Sequence, residues 1–204
     1  QASDWSSDVC SSDLDAMAEA AALEHTSMAA VVGGEQSTVE DALRALDLEP
    51  ANYNGGGQIV AAGASSAIAE LQANPPAGSR VIALQVAGAF HTRFMKPAVA
   101  KLADYAQSVI ANDPATKLFS NAGGVQVAEG KDFVDLLVQQ VSSPVRWDLC
   151  MAAMVEAGVT AMIEVAPAGT LVGLAKRSMP GIETLAVKTP ENLEAALALI
   201  NNHR

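Results

Sequence analysis

His91 stands in the stretch VAGAFHTRFMKP (86–97), where the apolar run Val81 to Val86 gives way to a segment with helical spacing. An imidazole titrates near neutral pH. At the end of a strand it can take a proton from a hydroxyl nucleophile, while an acceptor on its other nitrogen fixes the tautomer. A lone histidine is more often structural, but the carboxyl end of a strand in an open parallel sheet is where ligands collect. The nucleophile suited to such a base is a serine on a tight strand-to-helix elbow, Gly-x-Ser-x-Gly. The sequence contains none. GASSA (63–67) lacks the second glycine, and its serines read as a helix cap.

The elements that must position His91 can be read from periodicity and punctuation. TSMAAVVGG (26–34) is a strand closed by glycines, and STVEDALRAL (37–46) is a helix opened by Ser37 as N-cap with Glu40 three residues on. ANY and QIVAAG read as strands joined by the turn NGGG, SSAIAELQAN as a second helix, and SRVIALQV (79–86) as a further strand. The order over 26–86 is βαββαβ, a split βαβ arrangement. Beyond His91, the helices MKPAVAKLADYAQSVIAN, DFVDLLVQQV, WDLCMAAMVEAG and GTLVGLAKRS alternate with the strands TKLFSNA, VTAMIEVA and IETLAV. TPENLEAALALI closes the chain as a helix, with Thr189 as N-cap and Pro190 in its first turn. Alternation of this kind predicts a parallel sheet covered on both faces. Upstream of residue 26 the chain offers only DAMAEAAALEH, so the larger domain reads as lacking its first half.

Composition narrows the function. Half of the 204 residues are hydrophobic, yet no apolar run reaches the ~18 residues of a membrane span. Twelve Lys+Arg against 23 Asp+Glu give a net charge of -11, a field that repels nucleic acid and anionic membrane surfaces. Cys10 and Cys150 lie far apart, and His25, His91 and His203 are scattered. Neither a disulfide framework nor a metal site is expected, and the cytoplasm is the expected compartment. Residues 1–14, QASDWSSDVCSSDL, are Ser- and Asp-rich without periodicity and read as a non-native, adapter-like segment rather than a signal peptide.

Four stretches, YNGGGQIVAAG (53–63), VAGAFHTRFMKPAVAKL (86–102), QQVSSPVRW (139–147) and IEVAPAGTLVGLAKR (163–177), carry a resemblance. In this order and spacing they resemble the second half of the malonyl-CoA:acyl-carrier-protein transacylases, over about residues 15–200. The resemblance implies a partial α/β-hydrolase-like parallel-sheet domain with an inserted ferredoxin-like βαββαβ small domain. Residues 15–25 and 87–204 would belong to the large domain and 26–86 to the small one. It also implies a serine that takes malonyl from coenzyme A and passes it to the phosphopantetheine thiol of acyl carrier protein, without metal or redox cofactor. His91 would be the general base, oriented by the main-chain carbonyl of Gln140, which need only accept one hydrogen bond. Phe90 would narrow the pocket toward malonyl, and Met17 matches a pocket methionine.

Three departures qualify the resemblance. The family's malonate-pairing arginine, four residues before that methionine, is replaced by Asp13, and the family's GPG reads APA at 166–168. The nucleophilic serine is absent, so the chain is expected to be a fragment inactive by itself, from a monomeric parent enzyme. The alternative is a non-catalytic module that binds acyl carrier protein and has lost its nucleophile; a hydrolase releasing malonate to water would use the same base. Coenzyme A and carrier protein are both anionic, and Arg93, Lys96, Lys176 and Arg177 are the candidate basic contacts on this acidic chain.

Overall fold

In the computed structural model, which describes residues 15–203, the chain enters through a short helix, α1 (15–21), that buries Ala16 and Ala20. Residues 1–14, with Asp13 and the segment read above as non-native, lie outside the described residues. Then come β1 (Thr26–Gly33), α2 (Gln36–Ala45), β2 (Glu49–Gly55), β3 (Gln58–Ala64), α3 (Ser65–Ala73) and β4 (Ser79–Ala83). These four strands are ordered β4-β1-β3-β2, with every neighbouring pair antiparallel. Side chains alternate across a strand, and both faces of this sheet are covered. Ala29, Val31, Ile59 and Ala61 pack under Val39 and Leu43 of α2 and Ile68 and Leu71 of α3. Met28, Val60 and Ala62 line the other face with Ala51 and Ala89. Burial on both faces is why QIVAAG reads as a continuous apolar run rather than an alternating one.

A 3-10 turn (Arg93–Met95) leads into α4 (Lys96–Ala106). β5 (Leu118–Phe119), β6 (Gln126–Val127), α5 (Gly130–Gln140), β7 (Val145–Arg146) and α6 (Trp147–Glu156) follow. The chain ends with β8 (Ala161–Val165), α7 (Thr170–Ser178), β9 (Glu183–Val187) and α8 (Leu193–Asn202). β7 pairs parallel with β2, extending the sheet to five strands, and β8 and β9 form a separate parallel pair. The turn between β2 and β3 holds Gly55, Gly56 and Gly57 at φ of 73°, 56° and 73°. A Cβ at Gly55 would stand 2.8 Å from both Met151 Cε and Ser178 Oγ, so glycine there lets the hairpin close on α6 and α7.

Several elements differ from the sequence reading. Instead of one parallel sheet, TKLFSNA supplies only β5, which pairs antiparallel with β6. Gly123 and Gly124, at φ of 78° and 71°, fold the chain back at that point. Ser37 is not a cap: the helix begins at Gln36 with Glu35 as N-cap, and Glu40 accepts from Gln36 Nε2 and Tyr53 Oη instead. α4 stops at Ala106, where Ser108 Oγ donates to the Tyr105 carbonyl and competes with the helical ladder. β4 ends at Ala83, and beyond Leu84, whose N–H still reaches the Met28 carbonyl, no strand continues the ladder. His91 therefore sits eight positions past Ala83, in a turn beyond an antiparallel edge strand, and not at the carboxyl end of a parallel one.

Leu43, 1% exposed, is among the largest fully buried side chains of the α2–sheet layer. Leu43→Ala is expected to lower the unfolding free energy by about 2–5 kcal/mol, read as a fall in the urea midpoint at unchanged slope.

Candidate active site

After β4 the chain passes so close to α1 that a Cβ on Gly88 would lie 2.8 Å from the Ala21 Cβ. Glycine alone fits there, and the chain then turns through Phe90 and His91. His91 has a φ of 61°, a left-handed conformation that costs a non-glycine residue about 1–3 kcal/mol and persists only where the surroundings enforce it. Its Nδ1 lies 2.9 Å from the main-chain oxygen of Gln140. A carbonyl can only accept, so Nδ1 donates to it, and a ring with its hydrogen there keeps the Nε2 lone pair open to accept a proton. Gln140 is the last residue of α5, where carbonyls have no helical partner, so its oxygen is free to accept from His91 and from the Ser143 N–H. The Gln140 side chain bonds back to the Ser143 carbonyl at 2.8 Å and pins the same turn.

His91 forms part of the wall of an open cleft of ≈ 610 Å³. Phe90 and Met17 line it too, so three of the sequence candidates meet there, with Gln140 behind the ring. The floor comes from the parallel pair β2–β7. Asn52, Asn54 and Val145 face the cleft, whereas Tyr53 and Arg146, one residue out of phase, do not line it. On that other side the Arg146 guanidinium stacks 4.5 Å from the Tyr53 ring centroid and binds Asp148 through two hydrogen bonds of 2.9 and 2.8 Å. Burial, together with Glu40, pushes the Tyr53 hydroxyl up to about 12, so it stays protonated.

The basic candidates fall into two pairs, Arg93 with Lys96 along one groove and Lys176 with Arg177 on α7, and none of the four lines the cleft. Arg93 is no free cation: Nη1 lies 2.5 Å from Glu49 Oε1 and Nη2 2.6 Å from Asp47 Oδ2, while its N–H reaches Glu49 Oε2. Both carboxylates thus compete with any anionic partner for the guanidinium. Lys96 is exposed and lines a neighbouring groove with Glu24 rather than the cleft. Lys176 and Arg177 are exposed on the last turn of α7, where Arg177 Nη2 donates to Gln58 Oε1 at 3.1 Å.

Sequence reasoning missed Glu164. At 8% exposure its carboxylate folds onto the start of α7, accepting from the N–H groups of Gly169 (2.8 Å), Leu171 (3.0 Å) and Val172 (2.8 Å). Burial pushes this carboxyl up, but the N–H groups of Val172, Leu171, Gly169 and Thr170 outweigh burial and hold it below its ordinary value. Thr170, Leu171 and Leu174 of α7 form one wall of the cleft, so Glu164 fixes that wall. The available signal was an acidic residue inside the apolar strand VTAMIEVA, which must be satisfied if it is buried. Among the described residues no serine lines the cleft. Cys150 does not substitute as a nucleophile, because burial pushes its thiol up and Sγ is committed to the Ser120 carbonyl at 3.2 Å. No group of three or more potential metal ligands occurs among the described residues. Nor is any of their helices long and apolar enough to cross a membrane.

No family model matches the chain. The malonyl CoA-acyl carrier protein transacylase of Mycobacterium bovis is 49% identical over 178 residues, which make up 87% of this chain and 59% of that protein. The crystal structure of MCAT from Mycobacterium tuberculosis superposes with a TM-score of 0.88 at 47% identity, covering 92% of this chain and 62% of that one. A type II PKS acyl-carrier protein in complex with its malonyl-transacylase, PlMCAT:AntF, matches with a TM-score of 0.84 at 26% identity, covering 91% and 62%. The chain is thus homologous to malonyl-CoA:acyl carrier protein transacylases, a transferase family with an α/β fold, and spans less than two thirds of the length of these relatives.

Because the folded-state pKa of Glu164 is depressed, its contribution to stability is present above the unfolded value of 4.5 and is lost as pH falls through the folded value. Glu164→Gln is expected to unfold at lower urea than the parent at pH 7. The gap should narrow as pH drops below 4.5, as followed by circular dichroism.

Proposed function

We propose that this chain carries the base-bearing part of an acyltransferase that moves malonyl from coenzyme A to the phosphopantetheine thiol of acyl carrier protein. The carrying observation is the 2.9 Å contact between His91 Nδ1 and the Gln140 carbonyl in the wall of a cleft that Phe90 and Met17 also line. In this reading Nε2 of His91 takes the proton of a serine hydroxyl as it attacks the malonyl thioester, and returns a proton to the departing coenzyme A thiolate. The carrier thiol then gives its proton to the same nitrogen as its sulfur attacks the acyl carbonyl, and His91 returns that proton to the departing serine oxygen, which restores the hydroxyl. The Gln140 oxygen fixes the tautomer in both half-reactions, and Phe90 limits the size of the acyl group. The 204 residues contain no Gly-x-Ser-x-Gly, and we assign the nucleophile to chain beyond them.

The ordering β4-β1-β3-β2, antiparallel throughout, supports reading residues 26–86 as a ferredoxin-like unit inserted in an α/β-hydrolase-like domain. The carrier-protein complex among the structural matches supports acyl carrier protein as the partner. Arg93, Lys96, Lys176 and Arg177 are the candidates for contact with it, Arg93 being already paired with Asp47 and Glu49. No metal or redox cofactor enters these steps, and a cytoplasmic, monomeric enzyme fits the reading.

The test is malonyl transfer from malonyl-CoA to holo acyl carrier protein, by the 204-residue chain and by a serine-bearing full-length protein. The longer protein is expected to transfer and the 204-residue chain not to; transfer by the latter would overturn the assignment of the nucleophile. In the longer protein His91→Ala is expected to cost on the order of 10²–10⁴ in kcat. Gln140→Ala, which keeps the main-chain oxygen, should cost less than about tenfold, and undiminished transfer by His91→Ala would remove the base from the mechanism.

A further inference from the structure

His91 occupies a backbone conformation that favours glycine, and a single hydrogen bond from its ring does not set that backbone. The main-chain groups around it identify what does. Ala89, two residues upstream, offers one N–H and one carbonyl, and each is taken by a threonine hydroxyl. Thr26, the first residue of β1, accepts from the Ala89 N–H through Oγ1 at 3.0 Å. Thr92, immediately after the histidine, donates from Oγ1 to the Ala89 carbonyl at 2.6 Å. The same Thr92 oxygen accepts from the Phe94 N–H at 3.4 Å, and its carbonyl accepts from the Met95 N–H at 3.0 Å, opening the 3-10 turn that leads into α4. One hydroxyl can both donate and accept, so Thr92 closes the turn before it and caps the turn after it.

Thr92 is 0% exposed, and neither threonine lines the cleft. Any influence on the site must therefore pass through the turn they brace, which presents Phe90 and His91 to the cleft. We propose that Thr26 and Thr92 are positioning residues for His91. Their hydroxyls hold the turn at residues 89–92 so that the imidazole meets the Gln140 carbonyl with Nδ1 and leaves Nε2 for proton transfer. Thr26 ties the turn to the sheet and Thr92 ties it to the 3-10 turn that opens α4, so the chain is braced on both sides of His91. The kinetic consequence rests on the function proposed above; the geometric consequence does not.

The experiment uses the 204-residue chain labelled with ¹⁵N, in the variants Thr92→Val, Thr92→Ser, Thr26→Val and Thr26→Ser. Valine keeps the shape and removes the hydroxyl, and serine restores the hydroxyl. In the parent and both serine variants, the His91 ring is expected to give an Nδ1–H resonance protected from exchange and the ¹⁵N shifts of one tautomer. In the valine variants the protected proton should vanish and the shifts should report a mixture. Folding is checked by circular dichroism, and if Thr92→Val does not fold, Thr26→Val decides the question. A folded valine variant with the parent's protected Nδ1–H, or serine variants that fail to restore it, would overturn the proposal. In the serine-bearing full-length protein, Thr92→Val should lower kcat by roughly tenfold to a hundredfold with KM little changed. If the resonance follows the hydroxyls but no protein transfers malonyl, the positioning stands and the proposed function falls.

Discussion

The hydrogen bond between His91 and the Gln140 carbonyl joins segments 49 residues apart, and the rest of the site depends on their meeting. A typical hydrogen bond contributes only about 1 kcal/mol net, too little to hold two bodies together. What brings them together is the apolar layer in which Met95 and Leu102, on the chain that follows His91, pack with Val141 just past α5 and with Ala16 and Ala20 of α1. Burying side chains such as Met95 and Leu102 stabilises by about 1.5–3 kcal/mol each. Small residues at 16, 20 and 98 let the helices approach closely enough for the ring to reach the helix end. Packing sets the distance, and the hydrogen bond then selects the tautomer.

A second dependence runs through β2. Its pairing with β7 connects the antiparallel sheet to the chain that carries Gln140, and the two-residue period divides the labour. Asn52, Asn54 and Val145 furnish the cleft, while Tyr53 and Arg146 turn away from it to a stack tied down by Glu40 and Asp148. Fully exposed ion pairs contribute little, but Arg146 and Asp148 keep only 33% and 23% of their side-chain surface and meet through two parallel bonds. Similar uses recur across this acid-rich chain. Asp47 and Glu49 hold Arg93 at the entrance to α4, and Glu164 holds the first turn of α7. Part of the acidic excess is therefore structural.

The βαββαβ unit was legible because apolar runs of strand length were punctuated by glycines, and both signals are local. The parallel sheet was not, because alternating helices and strands do not reveal which strands pair: β5 folds back on β6, and β7 joins the first sheet. SRVIALQV looked like one strand because Leu84 and Val86 are apolar, but they line the cleft instead of continuing the ladder. His91 was visible as a residue out of place, whereas its acceptor was not, since every residue has a carbonyl and main-chain atoms carry no sequence signature. Gln140 entered only through the resemblance. Glu164 and Thr92 escaped for a related reason: their partners are main-chain groups fixed by the tertiary fold.

The cleft also constrains what an anionic substrate can find in it. The positive end of a helix is a natural anion site, and the first residues of α7 line the wall. Glu164 already occupies that end, accepting three of its N–H groups. Arg93 is taken by Asp47 and Glu49, and among the described residues no lysine or arginine lines the cleft. Lys176 and Arg177 complete α7 at its negative end, where the helix dipole favours cations whether or not a partner is bound. For the proposed malonyl substrate, the described part of the cleft therefore supplies the proton acceptor and the apolar walls but no countercharge. In the proposed reading, the countercharge for the malonyl carboxylate comes from chain other than residues 15–203, and selectivity for a dicarboxylate belongs to the assembled site.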